Sequence, residues 1–247
     1  MKLYLIRHAE SANNALLSSD ESNNGRTPDP EITDVGHAQS EKLGQFLATS
    51  GNEPRQHPRR DTKSFDFGIS HLYCSLMTRS ILTANYIAQS CHIVLKARDD
   101  IFERKGLYEV DATGNATGVA GPGRSYFENR FPALILPQWV DEKGWWNRPL
   151  ETDAQFIQRA EISLRSIIEE HQHTDENVAI VVHGDYIDQC INSLFSIPRK
   201  PQNYSSHWEA NWVSHNTSIS RIDIENRSSN IVYLNRIDHL TPGLITW

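Results

Sequence analysis

Cysteine is scarce in this chain. The three present, Cys74, Cys91 and Cys190, share neither a pairing pattern nor a metal-ligand spacing, which argues against a disulfide-stapled secreted scaffold and a zinc-finger type of site. Long apolar runs are also missing. No stretch approaches the ~20 residues that span a bilayer, and the opening MKLYLIRHAE lacks the apolar core and cleavage site of a secretory leader. These absences point to a cytoplasmic protein in a reducing compartment, with no membrane partner. Positive charge is in deficit, 24 Lys and Arg against 31 Asp and Glu, for a formal net charge of −7. Wholesale binding to nucleic acid is therefore disfavoured, while a local basic pocket is not. No internal repeat or linker divides the 247 residues, a length suited to a single domain spanning 1–247.

What is present is an alternation. Short segments rich in β-branched and aromatic residues, at 2–6, 67–73, 92–95, 177–182, 218–224 and 231–234, read as strands. Helical patterns lie between them. One is capped by Thr33 and runs to about Ser50, with Gly51 as its stop, and a second covers 76–89. A third opens at Thr152 or Asp153 and carries Phe156, Ile157, Ala160, Leu164, Ile167 and Ile168 on one stripe to about His171. The fourth covers 185–195 and is stopped by Pro198. The pattern predicts an α/β fold: a three-layer sandwich, its central sheet mostly parallel, with helices on both faces. The polar, proline-containing stretch 52–63 reads as a surface loop. Residues 107–150 break the alternation with glycines, prolines and aromatics, and read as an insertion folding over the domain as a lid.

Ligands of open parallel sheets bind beyond the carboxyl ends of the strands, and unusual residues stand there. Arg7 and His8 follow the first strand. Arg79 lies in the first turn after "HLYCSLM", and Glu103 follows the strand at 92–95. His183 and Gly184 end the apolar "AIVV", where a glycine lets the backbone approach a ligand closely. Each alone has a bland reading, as a hydrogen-bonded strand-end His or a solvated Arg. Two Arg and two His at one edge would repel one another, so the set makes sense around an anion. A tetrahedral phosphate suits it, with Arg forks and a helix amino terminus as donors. A neutral imidazole among cations is then a competent nucleophile toward phosphorus. Glu103 is the available acid for the leaving oxygen.

These residues also resemble a family. "RHAESANN" is similar to the RHGE-S-x-x-N signature of the histidine phosphatase superfamily, the phosphoglycerate mutase-like proteins, with Ala9 in place of the usual Gly. "DPEITDVGHAQ", "CSLMTRSILTA", "IFERKG" and "VVHGD" resemble further family segments in the family's order. The resemblance implies that His8 becomes phosphorylated. It implies that Arg7, Arg79 and His183 bind the transferring group with help from Asn14 and the Gly184 backbone, and that Glu103, or else the nearby Glu109, is the general acid. It implies the same α/β fold, a small phosphorylated substrate, and no metal or organic cofactor.

The stretches after Glu103 and His183, "ERKGLYEVDATG" and "HGDYIDQC", differ from the mutases' patterns, which favours a phosphatase over a phosphoglycerate mutase-type transferase. A catalytically silent phosphate-binding or scaffolding domain is the third reading. His171-Gln-His173 reads as a helix end, having no partner ligands nearby in sequence. Arg124, Arg130, Lys143 and Arg148 are candidates for a second acidic group on the substrate. The sequence assigns no oligomeric state, and the closing "HLTPGLITW" reads as a segment docking on this domain or on a partner.

Overall fold

A computed structural model describes residues 1–18, 25–49, 66–146, 148–196, 211–225 and 228–247. In chain order its elements are β1 (Lys2–Arg7), α1 (Ala12–Ser18), α2 (Asp34–Ala48), β2 (His71–Ser75), α3 (Thr78–Cys91), β3 (Leu95–Arg98), β4 (Tyr108–Val110), β5 (Ala116–Gly118), α4 (Arg124–Arg130), α5 (Asp153–His171), β6 (Asn177–Val182), α6 (Gly184–Leu194), β7 (Ile219–Glu225) and β8 (Ser228–Arg236).

The apolar run LYLI makes β1 a central strand because both its faces are covered. Tyr4 and Ile6 enter one core, Leu3 and Leu5 the other, and all four are fully buried. β6 and β2 alternate in the same way: Ala179, Val181, Leu72 and Cys74 join the first core, and Val178, Ile180, Val182 and Tyr73 the second. Leu43, Leu47, Ile81, Ala84 and Ile87 from α2 and α3 close the first core, and Phe156, Ala160, Leu164 and Ile167 of α5 close the second with α6. The sheet order is β3-β2-β6-β1-β7-β8. Four strands are parallel, and β7 and β8 run antiparallel at one edge. The three layers and mostly parallel sheet are those the pattern predicts.

Helix starts follow their caps. The Thr33 side chain accepts from the Gly36 N–H, and Thr152 and Gln155 form a reciprocal capping box. α2 can sit this close to the Glu10 backbone only because residue 36 is glycine, since a Cβ there would collide with the Glu10 carbonyl. No helix among the described residues is long and apolar enough to cross a membrane. The three cysteines are free.

Several boundaries differ from expectation. The strand expected at 92–95 begins at Leu95, because His92 leaves α3 in the left-handed region (φ 53°) and residues 92–94 serve as the helix exit. The strand expected from 67 begins at His71; before it, the carbonyls of Phe67 and Gly68 accept from the Asn177 side chain instead of joining the ladder. α1, α4 and the β4–β5 hairpin are additions to the predicted set. The loop at 52–63, Gly51 and Pro198 lie outside the described residues.

The insertion is built into the body of the domain. Ile135 bonds to β3 on both sides, its N–H to the Leu95 carbonyl and its carbonyl to the Ala97 N–H. Phe127, Phe131, Val140, Trp145 and Trp146 are buried in the same core as α2 and α3. Gly106 takes φ +79° beneath the Trp146 ring, where any side chain would clash. We expect Trp145→Ala to cost about 3–5 kcal/mol in urea unfolding. A detachable lid would give a change within about 0.5 kcal/mol, as a surface substitution does.

Candidate active site

The strand ends bring the expected groups together. β1 delivers Arg7 and then His8, and β6, its parallel neighbour in matching register, delivers His183 and then Gly184. The His8 and His183 rings lie 5.2 Å apart between centroids. α3 carries Arg79 in its first turn, and Arg79 Nε donates to His8 Nε2 at 3.1 Å. His8 Nδ1 lies 2.7 Å from the Ala9 carbonyl. A carbonyl only accepts, so Nδ1 carries the proton and Nε2 presents a lone pair.

Electrostatics keeps that nitrogen unprotonated. Burial first, then the guanidinium groups of Arg79 and Arg7, hold His8 well below its usual pKa. Burial and Arg79 do the same to His183. His183 Nε2 pairs with the Ser75 hydroxyl at 2.7 Å. Its Nδ1 and the Nε of Arg7 are buried atoms without a hydrogen-bond partner. Buried polar atoms normally have partners, so the shortfall at this strand-end site suits a ligand with several acceptor oxygens.

Glu103 lies in the loop after β3, partly buried, with a carboxylate oxygen accepting from the Arg104 N–H at 2.9 Å. Burial, then the like charge of Asp185, push its carboxyl up to about 7, against the opposing pull of Arg79 and Arg7. Glu109 stands exposed on β4. Asn14, at the start of α1, turns its side-chain carbonyl to the Ser11 N–H and hydroxyl and to Asn216. At Gly184 a Cβ would stand 3.7 Å from Arg7 Nε, an ordinary contact, so packing alone does not call for glycine there.

The loop carrying His8 is held by its backbone. The His8 N–H donates to the Val182 carbonyl, the Ala9 N–H to Thr83 Oγ1 and the Glu10 N–H to Gln39 Oε1. Gln39 Nε2 donates in turn to the Leu244 carbonyl and Thr246 Oγ1. Asn216 donates to the His8 carbonyl, and Ser214 accepts from Arg7 through its backbone carbonyl. The closing segment thus docks on its own domain, with the Trp247 ring against His215. Sequence reading missed Ser75, Gln39 and Thr83 as site residues, although each lies inside a quoted motif segment. Asn216 and Ser214 carry no local signal.

Arg124 is engaged by the carbonyls of Val140 and Pro137, Arg130 by Glu31 and Tyr126, and Arg148 stacks on Trp146. Arg124 and Arg148 thus serve the insertion's own structure, and Arg130 ties it to the loop before α2. The exposed Arg26 donates to the Tyr108 hydroxyl, and both bear electrostatically on Arg79, so this pair borders the site.

A family model described as histidine phosphatase superfamily (branch 1) matches residues 59–237. No curated protein matches the sequence. Among solved structures, the chain is similar to an alpha-ribazole phosphatase from Shigella flexneri (18% identity, TM-score 0.59, 96% of each chain). It is also similar to a phosphoserine phosphatase from Entamoeba histolytica in complex with 3-phosphoglyceric acid (17%, TM-score 0.55, 97% of this chain and 99% of that one). A third is the ecdysone phosphate phosphatase from Bombix mori in complex with tungstate (13%, TM-score 0.62, 97% and 95%). At these identities the likeness is one of fold.

For the site itself, we expect ¹⁵N NMR at pH 7 to find His8 neutral and protonated on Nδ1. A free imidazole is half protonated near pH 6.5; here protonation is displaced to lower pH. An imidazolium pattern for His8 at pH 7 would contradict this geometry.

Proposed function

The chain belongs to the histidine phosphatase superfamily, and from that premise we propose that it is a phosphomonoester hydrolase working through a phosphohistidine at His8. The observation carrying this reading is the His8 ring itself: its proton is committed to the Ala9 carbonyl, and the Nε2 lone pair is free but for a guanidinium N–H. In the first step Nε2 forms a bond to phosphorus as the bond to the substrate's ester oxygen breaks. Glu103, protonated in part at neutral pH, gives its proton to that oxygen. Arg7, Arg79 and His183 meet the three phosphoryl oxygens, the orphaned Arg7 Nε and His183 Nδ1 gaining acceptors, with Asn14 and the Gly184 backbone alongside. In the second step water attacks phosphorus, Glu103 takes its proton, and the phosphorus–nitrogen bond to His8 breaks to release inorganic phosphate.

The substrate is a small phosphomonoester. The proteins of similar fold are phosphatases of chemically diverse esters, so their shared class, not any one compound, supports this choice. Protonation of the product alcohol and release to water distinguish the reading from a mutase, which returns the group to a second hydroxyl.

The test is hydrolysis of p-nitrophenyl phosphate with EDTA present, paired with acid and alkaline quenching of the labelled enzyme. Wild type should turn over and yield an acid-labile, base-stable phosphoenzyme. His8→Ala should lose both, with kcat down on the order of 10³-fold or more. Phosphoenzyme formed from a bisphosphoglycerate without net phosphate release would favour the mutase. Neither signal from folded protein would favour the silent domain.

Glu103→Gln separates the two candidate acids. It should lower kcat/KM for alkyl phosphates by about 10²–10⁴-fold, and much less for p-nitrophenyl phosphate, whose leaving group needs little protonation. Glu109→Gln should leave both near wild type. Because the acid form of Glu103 is required, kcat/KM for alkyl phosphates should fall as pH rises through about 7. Glu103→Gln should remove that limb, and a limb that persists in the variant would rule Glu103 out.

A further inference from the structure

A cluster of donor side chains at the opposite edge of the sheet has no part in this chemistry. His171 ends α5, Glu176 precedes β6, and His71 begins β2, the parallel neighbour of β6. Glu176 Oε2 lies 2.6 Å from His171 Nδ1, and its Oε1 lies 2.9 Å from His71 Nε2. The two rings lie 4.5 Å apart between centroids, and one ligand atom from each residue falls within 4.8 Å of the others. The helix end at His171 lacked partner ligands only in the linear sequence; the sheet supplies them.

We propose that His71, His171 and Glu176 form a binding site for a divalent transition-metal ion of the zinc class. His71 binds through Nε2, His171 through Nδ1 and Glu176 through a carboxylate oxygen, with water in the fourth position. Two imidazoles and a carboxylate suit zinc or cobalt(II) better than magnesium or calcium, which take all-oxygen shells. Bonds of about 2.0–2.2 Å in a tetrahedral shell set ligand atoms roughly 3.3–3.5 Å apart, so the short Glu176 contacts would open by less than about 1 Å and ligand atoms now up to 4.8 Å apart would close by no more than about 1.5 Å.

The surroundings are those a metal-bound imidazole requires. His171 Nε2 lies 3.1 Å from the Tyr73 hydroxyl, which donates to Glu170 at 3.2 Å, an outer shell that fixes the ring's orientation. Thr174 Oγ1 donates to the His171 carbonyl at 2.7 Å and lies 2.9 Å from Glu176 Oε2, setting the turn that joins two of the ligands. His171 is buried, whereas about a quarter of the His71 side chain and a third of Glu176 reach solvent, which gives an ion its entry. The six residues of β6 separate this cluster from His183 by about 20 Å. The ion would therefore clamp the end of α5 to the starts of β2 and β6 and take no part in phosphoryl transfer.

The test titrates the metal-stripped full chain with Zn²⁺ against a chromophoric chelator and with Co²⁺ by visible absorption. Wild type, His71→Gln, Glu176→Gln and His8→Ala are compared, each checked for folding by circular dichroism. Wild type and His8→Ala should bind one equivalent, and His71→Gln and Glu176→Gln at least about tenfold more weakly. The strong d–d bands of a four- or five-coordinate cobalt site should vanish in His71→Gln. No binding by wild type, or equal binding by His71→Gln and Glu176→Gln, overturns the proposal. Loss of binding in His8→Ala would place the ion at the phosphoryl site and overturn it as well. Hydrolysis of p-nitrophenyl phosphate in EDTA should be the same in His71→Gln as in wild type, so failure of this site and failure of the phosphatase reading are told apart.

Discussion

Arg79 presses a permanent cation against the lone pair of a buried imidazole, and the strand-end site is arranged around that contact. A guanidinium and two histidines share nearly water-free surroundings, with a second guanidinium beside them. Charge on either ring would be costly there, so both stay neutral. In the phosphatase we propose, an arriving phosphate dianion reverses the balance, its oxygens answering the buried Arg7 Nε and His183 Nδ1 that the protein leaves unpaired. Such a site has its electrostatic work done before the substrate arrives, which is where preorganised enzymes gain most.

Asp29 shows how this tension is contained. Its carboxylate accepts from both the Thr78 N–H and hydroxyl, capping α3 from a distant loop where Met77 offers no side-chain cap of its own. The same charge bears favourably on Arg79. One partly buried acid thus secures the helix start and partly offsets the cation that the helix presents. Arg159 does comparable service on the other side. It rests 3.5 Å over the Phe102 ring and bonds to Glu151 and the Asp100 carbonyl, which steadies the segment leading into Glu103.

Local chemistry was legible in the sequence, and so were the elements it dictates. β6 is a continuous apolar run and α5 opens on a capping box, and both fall where the pattern puts them, as do Arg7, His8, Arg79 and His183 at the strand ends. Features set by tertiary contact were not. β3 slides toward its carboxyl end because a histidine, and not a glycine, takes the left-handed exit from α3. α1 is only 7 residues, too short to display a helical period. Asn216 and Ser214 reach the site from a remote stretch without helical or strand pattern. The insertion's tryptophans were readable as either lid or core, and only the neighbours they meet decide for core at Trp145 and Trp146, while Trp139 stays exposed.

Both partners of β1 in the sheet come from late in the chain, β6 and β7. The loop after β1 is tied by the turn just before β7 and by residues beyond β8: Thr217 donates to the carbonyls of Arg7 and His8, Asn216 accepts from Thr246, and Gln39 bonds to residues 244 and 246. During synthesis at about 5–20 residues per second, His8 is therefore made roughly 10–40 s before the segment around residue 217 that holds its loop in place. A fragment ending before residue 214 would carry every motif residue without the segment that holds them in place.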